Sequence, residues 1–97
     1  MFNIDCNNNI EVIAGDKIFL NFRLSNHKLE TGDRVIFSAP EASITETVED
    51  FTESGIAAID IEGANTQKPK GTYDYTIKVQ TTGGADDTVI IGKIKII

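Results

Sequence analysis

The sequence predicts an all-β protein: an antiparallel β-sandwich of seven or eight strands in one domain that spans residues 1–97. The strongest observation is the run 71–80, in which apolar and polar residues alternate strictly. A period of two is typical of a strand with one buried and one exposed face. The run 88–97 is rich in β-branched residues and follows a Gly-Gly turn, so the two runs form a predicted hairpin. Similar short runs recur at a spacing of about ten residues along the chain, with Gly, Asn or Pro between them.

Four strands are predicted in the first part of the chain, each with apolar residues at every second position and a turn or loop after it. They cover residues 2–6, 10–14, 17–24 and 33–39. Pro40 ends the fourth strand because proline cannot donate a ladder hydrogen bond. The polar segment between the third and fourth strands contains His27, which is the only histidine.

The segment 43–51 fits two structures. Ser43 with Glu46 matches a helix capping box, and the apolar residues at 44, 48 and 51 match helical spacing. Threonine, valine and isoleucine, however, favour extended backbone. We therefore predict a strand at about 43–49 and keep the helix as the alternative. A further strand is predicted over 56–62, followed by a connection over 64–70 that can hold one helical turn.

Gly92 leaves the orientation of the last strand open. If Gly92 lies on the buried face with its even-numbered neighbours, then Val89, Ile91 and Ile97 point outward. A β-bulge at Gly92 would instead turn Val89 and Ile91 inward. The first alternative gives the domain an apolar outer strip, and such strips mark contact surfaces. The residues predicted as a possible assembly surface are Phe19, Ile36, Val89, Ile91 and Ile97.

Composition and charge exclude several classes of function. The chain has 15 acidic and 9 basic residues and a net charge of -6, which argues against a nucleic-acid partner. Cys6 is the only cysteine, so no disulfide forms within the chain, and it is expected to be an inert buried thiol. No secretory signal or membrane-spanning run is visible. We therefore expect a protein made in the cytoplasm, with no membrane partner.

The sequence contains no pattern that predicts catalysis. His27 lies in a polar loop without a nucleophile motif around it, and no phosphate-binding or dinucleotide-binding glycine pattern occurs. One cysteine and one histidine are too few for a zinc site. Five carboxylates fall between residues 41 and 53, which keeps a weak calcium site as an alternative. We expect no enzyme activity, no catalytic residues, no cofactor and no metal.

Five segments together resemble a known family. They are GDKIFLNF at 15–22, GDRVIF at 32–37, VEDFT at 48–52, KGTYDYTI at 70–77 and TVIIGK at 88–93. Their order is similar to that in the immunoglobulin-like β-sandwich at the N-terminus of upper baseplate proteins of tailed phages that infect Gram-positive bacteria. The resemblance covers about residues 15–95.

The resemblance implies an immunoglobulin-like fold and a structural role in the virion. It implies a baseplate or tail-fibre module, made in the cytoplasm of a bacterial host, whose partners are other tail or baseplate proteins and copies of itself. It carries no catalytic residues to this chain. Family members usually continue into a long C-terminal region, so the chain is expected to be either a free-standing accessory protein or an excised domain. The alternatives are a carbohydrate-binding module and a bacterial immunoglobulin-like adhesin domain with calcium at a loop end.

Overall fold

The computed structural model describes residues 2–4, 9–24 and 27–97, and this part of the chain is mainly β-structure. Its strands are β1 (Phe2–Ile4), β2 (Ile10–Val12), β3 (Ile18–Phe22), β4 (Arg34–Ala39), β5 (Ile44–Val48), β6 (Ala57–Ile61), β7 (Gly71–Gln80) and β8 (Asp86–Ile96). A 3-10 turn (Pro40–Ala42) follows β4, and a single helical turn, α1 (Gly63–Thr66), precedes β7. Within these residues, no helix has the length and apolar character that crossing a membrane requires.

The strands form a large mixed sheet and a small sheet. The large sheet has the order β1-β2-β8-β7-β4-β5, and the small sheet consists of β3 and β6. All described strand pairs are antiparallel except β2 with β8, in which Ile10 pairs with Ile94 and Val12 with Ile96 in parallel. The prediction of a purely antiparallel sandwich is therefore wrong at this pair. The two strands lie far apart in sequence, so no hairpin turn sets their relative direction.

Apolar side chains from both sheets meet in one hydrophobic cluster. Strands β2 to β8 all contribute to it, because every second residue of each strand points to the same interior. At its centre the rings of Phe37 and Tyr75 are stacked, with their centroids 4.9 Å apart and their planes 17° from parallel. The buried apolar residues are Ile10, Val12, Ile18, Phe22, Leu29, Val35, Phe37, Ala39, Ala42, Ile44, Ala57, Ile59, Ile61, Tyr75, Ile77, Val79, Ile94 and Ile96.

The ambiguous segment 43–51 is a strand over Ile44–Val48, so the helical alternative is wrong. Ile44 is buried and Val48 is half-buried on the inner face, while Thr45 and Thr47 are exposed. The β-branched residues thus prevail over the capping-box pattern, since they can pack as a ladder against β4. Phe51 lies beyond the strand and packs, half-buried, against the core.

The question raised by Gly92 is settled by the ladder between β7 and β8. Gly92 is buried opposite Tyr75, so it lies on the inner face, as the first alternative predicts. The register changes elsewhere: Ile77 pairs with Ile90, and the next residue of β7 pairs with Thr88. Val89 is therefore the extra residue of a β-bulge.

The connection before β7 is fastened to the turn before β3. Thr66 is fully buried, and its hydroxyl accepts a hydrogen bond from the Gly15 N–H (3.1 Å) and donates one to the Asp16 carbonyl oxygen (2.6 Å). The backbone of Gly63 passes so close to this turn that a Cβ on Gly63 would collide with the Gly15 carbonyl oxygen. Glycine is required here for close approach, because the colliding atom belongs to the backbone.

Gly63→Ala is expected to lower the free energy of unfolding by about 1–3 kcal/mol, because one of the two backbone segments must move to admit the methyl group. Urea denaturation at fixed protein concentration measures the change. Gly83→Ala is the matched control, since the nearest atom to a Cβ there is Thr81 Oγ1 at 3.8 Å. An equal loss in both variants would contradict the steric explanation.

Candidate protein interaction surface

The outer face of the large sheet carries exposed apolar and hydroxyl side chains at its centre. Ile91 on β8 is the most exposed large apolar side chain of the described residues, at 74%. Its neighbours across the ladder are Thr76 on β7, then Ser38 on β4 and Thr45 on β5. The side chains of this row carry hydroxyl or methyl groups and no charge. We define the central row as Ile91, Thr76, Ser38 and Thr45.

A second row of the same face adjoins the central row and adds more apolar area. Ile36 is half-buried on β4 between Lys78 of β7 and Thr47 of β5. Val89, the bulge residue of β8, is 39% exposed. Three of the five residues predicted as an assembly surface (Ile36, Val89 and Ile91) therefore come together in this region. We refer to these three residues with the central row as the outer patch.

Ion pairs between neighbouring strands surround the outer patch. Lys93 of β8 and Asp74 of β7 are paired at 2.7 Å, and Lys78 of β7 and Asp86 of β8 are paired at 3.3 Å. The hydrogen bond from Lys93 to Asp74, with the charge of that carboxylate, raises the pKa of Lys93 above its ordinary value. Exposed pairs like these add little to folding stability. Their importance lies in the charge pattern they present to another molecule.

The charges on this face nearly cancel. Arg34 of β4 is paired with Glu49 at 3.4 Å, and Lys95 of β8 lies beside Glu11 of β2 in the parallel ladder. Together with the two pairs described above, and counting Glu49 just beyond β5, the face holds four of the 9 basic and four of the 15 acidic residues. Glu41, in the turn after β4, lies near enough to Lys93 to contribute to its raised pKa and adds one negative charge. Most of the net charge of -6 therefore lies elsewhere in the chain, and Ile36, Val89 and Ile91 lie on a nearly neutral face of an acidic protein.

The other two residues predicted as an assembly surface lie elsewhere. Phe19 is 45% exposed on β3 of the small sheet, where it pairs with Asp60, and Asp60 holds Lys17 at 3.0 Å. Ile97 is 39% exposed next to Ile13, at the end of β2 and β8. Ile13 is 52% exposed and was missed at the sequence level. The alternation of Ile10, Val12 and Ala14 in the predicted strand 10–14 already places Ile13 on the outward side, so this signal could have identified it.

His27 takes part in a structural clamp around one buried aspartate. Asp33 is 1% exposed; its Oδ2 lies 2.9 Å from His27 Nε2 and accepts a hydrogen bond from the Glu30 N–H (3.1 Å). Its Oδ1 accepts one from the Thr82 N–H (3.2 Å), which lies in the β7–β8 turn. The bond with His27 is the main cause that lowers the pKa of Asp33; burial opposes it, and the two backbone N–H groups reinforce it. The clamp joins two loops at one end of the sheets.

The acidic segment 41–53 forms grooves but no metal cluster in the described part of the chain. A groove of about 300 Å³ lies between residues 28–31 and 50–53, and one of about 220 Å³ adjoins it between residues 31–34 and 49–50. Lys28 and Arg34 line these grooves together with the carboxylates. Among described residues, no three histidine, cysteine, aspartate or glutamate side chains converge in a manner that could hold a metal. Cys6 lies outside the described residues.

Comparison with known proteins gives no match. No family model, no curated protein and no solved structure matches the chain.

Proposed function

We propose that the chain is an immunoglobulin-like structural module of a phage or prophage virion, in the baseplate or tail fibre, and that it acts by protein–protein assembly without catalysis. The observation that carries the assembly role is the outer patch, where Ile91, Val89 and Ile36 lie on a nearly neutral sheet face. Large exposed apolar side chains on one face are typical of contact surfaces. Other tail or baseplate proteins and copies of the chain itself are the partners in this proposal.

The division of strands between the sheets supports the immunoglobulin-like assignment. In that fold the second and fifth strands of the basic set lie in one sheet, and the third, sixth and seventh lie in the other. Here β3 and β6 form the small sheet, while β4, β7 and β8 are neighbours in the large sheet. Strand β5 beside β4 corresponds to the additional strand of variable-type domains.

The segments that resemble the phage baseplate family support the virion role. Residues 15–17 form the approach to β3, and residues 32–37 lead into β4. The segment 48–52 follows β5, and the segments 70–77 and 88–93 lie on the paired strands β7 and β8. The segments that carry the resemblance therefore lie in or beside successive strands of one module.

The edges of the large sheet favour assembly through a sheet face over assembly by strand addition. At the β5 edge of the large sheet, Glu46 lies half-buried on the inner face opposite Phe37. At the start of β8, which has only β7 as its neighbour there, the Val89 bulge distorts the edge. Inward-pointing charges and bulges both hinder the addition of another strand. Strand addition is hindered at these two places of the large sheet, and we therefore assign the contacts to the sheet face.

The virion role is tested with phage particles from the strain that carries the gene. We expect mass spectrometry of gradient-purified virions to find the chain, and immunogold labelling to place it at the tail tip. Particles from a deletion mutant serve as the control and should show a tail or adsorption defect. Absence of the chain from purified virions, with normal particles in the mutant, would rule out this role.

The carbohydrate-binding alternative is tested by applying the purified chain to a glycan array.

A further inference from the structure

We infer that the outer patch binds a second copy of this chain, face to face, around a two-fold axis that lies in the plane of contact. This inference rests on the proposed assembly role and specifies its partner, surface and symmetry. In a two-fold dimer the same patch is used by both copies, so it must complement itself. The question is therefore whether the charges and apolar side chains of this face match their own rotated image.

The four charges around the Ile91–Thr76 pair alternate in sign. On one side of that pair, β8 presents Lys93 and β7 presents Asp74. On the other side, β8 presents Asp86 and β7 presents Lys78. The two lysines thus lie on one diagonal of a four-cornered pattern and the two aspartates on the other, with Asp86 one ladder row further from the Ile91–Thr76 pair, opposite Gln80. All four side chains are between 40% and 67% exposed, so they remain accessible to a partner.

A pattern of this kind is complementary to itself for both possible axes. Rotation about an axis along the strands, between β7 and β8, sets Lys93 of one copy against Asp74 of the other. Rotation about an axis across the strands, through the Ile91–Thr76 pair, sets Asp74 of one copy against Lys78 of the other, while Lys93 meets the position of Thr88, one ladder row short of Asp86. Opposite charges face each other in each case, and like charges do not. The two Ile91 side chains then lie near the centre of the contact.

The size and net charge of the face are also suitable for a second copy. The molecule measures 39 × 24 × 21 Å, so its largest cross-section is about equal to the roughly 800 Å² that each partner buries in a standard interface. Two chains of net charge -6 repel each other at long range. This repulsion is least where the sheet face is nearly neutral, so the outer patch is the place where two acidic copies can approach.

The first experiment measures the oligomeric state of the whole chain by sedimentation equilibrium up to about 1 mM, over the range in which weak dimers form. The native chain is expected to be a dimer, and Ile91→Glu is expected to weaken dimerisation about tenfold or more. Phe19→Glu is the matched control, because it places the same charge on an exposed apolar site of the other sheet. It should leave the dimer intact.

The second experiment uses charge reversal. Lys78→Glu with Lys93→Glu makes the four-cornered pattern wholly acidic, and Asp74→Lys with Asp86→Lys makes it wholly basic. Each double variant alone should be a monomer because like charges then face each other. An equimolar mixture should restore a dimer that contains one of each. Circular dichroism confirms that both variants are folded, since all four sites are on the surface.

A native chain that stays monomeric at about 1 mM would overturn the dimer, as would double variants that associate like the native chain. Loss of the dimer in Phe19→Glu but not in Ile91→Glu would overturn the choice of face. None of these results contradicts the virion role, which depends on the presence of the chain in purified particles. The two proposals therefore fail separately.

Discussion

Phe37→Ala is expected to lower the free energy of unfolding by about 3–5 kcal/mol, the largest loss that we predict for a single substitution. Phe37 is fully buried on β4, in the middle of the large sheet, and its ring is stacked on Tyr75. Removal of the ring takes away apolar burial and leaves a cavity that the surrounding strands cannot fill without leaving their ladders.

Urea denaturation, followed by circular dichroism at one protein concentration, measures the effect. A loss of this size shifts the midpoint by about 1–5 M if the denaturant slope is unchanged. Phe19→Ala is the control, because it removes the same side chain from a site that is 45% exposed on β3. We expect it to cost less than about 1 kcal/mol. Similar losses in the two variants would mean that Phe37 does not hold the central position assigned to it.

Asp33→Ala is expected to lower the free energy of unfolding by about 2–4 kcal/mol at pH 7. The substitution removes the acceptor for the Glu30 and Thr82 N–H groups, which come from two different loops. Both groups are then left without their hydrogen bond beside an apolar methyl group. Asp50→Ala is the matched control, since Asp50 is exposed in a neighbouring loop. A loss of less than about 0.5 kcal/mol in Asp33→Ala, equal to that of the control, would contradict the clamp.

The same carboxylate predicts a pH dependence whose sign is fixed by its lowered pKa. The folded pKa of Asp33 lies below its unfolded value of about 3.9, so the unfolded chain binds the proton more tightly. The contribution of Asp33 is therefore fully present above about pH 4 and is lost as the pH falls through the folded pKa. We expect the stability difference between the native chain and Asp33→Asn to shrink below about pH 4. A difference that stays constant from pH 7 to pH 3 would show that the carboxylate charge contributes nothing.

The predicted assembly residues show how far alternation alone can place a surface. Alternation identifies Phe19, Ile36 and Ile91 as outward-facing, and the structure has Phe19 and Ile91 exposed and Ile36 half-buried. It does not tell which of them share a face, because that depends on which sheet each strand joins. Phe19 belongs to the small sheet, while the other two lie on neighbouring strands of the large sheet.

Asp33 shows what local alternation cannot predict, namely the burial of a polar residue. Its place at the start of an alternating run marks it as a turn residue of the Gly32-Asp33 type, with nothing to indicate burial. It is buried because the β7–β8 turn folds over the loop 27–33 and offers an N–H group from Thr82. That contact spans 49 residues of sequence, so it is invisible to any local pattern.

By itself the sequence determined that this protein is built from short strands, and which side of most strands is apolar. Those properties follow from backbone sterics and from side-chain alternation within a few residues. The tertiary structure alone decided the parallel pairing of β2 with β8, the bulge at Val89 and the separation of β3 and β6 into their own sheet. Each of these depends on contacts between distant parts of the chain, where packing of the shared core selects the partner, direction and register.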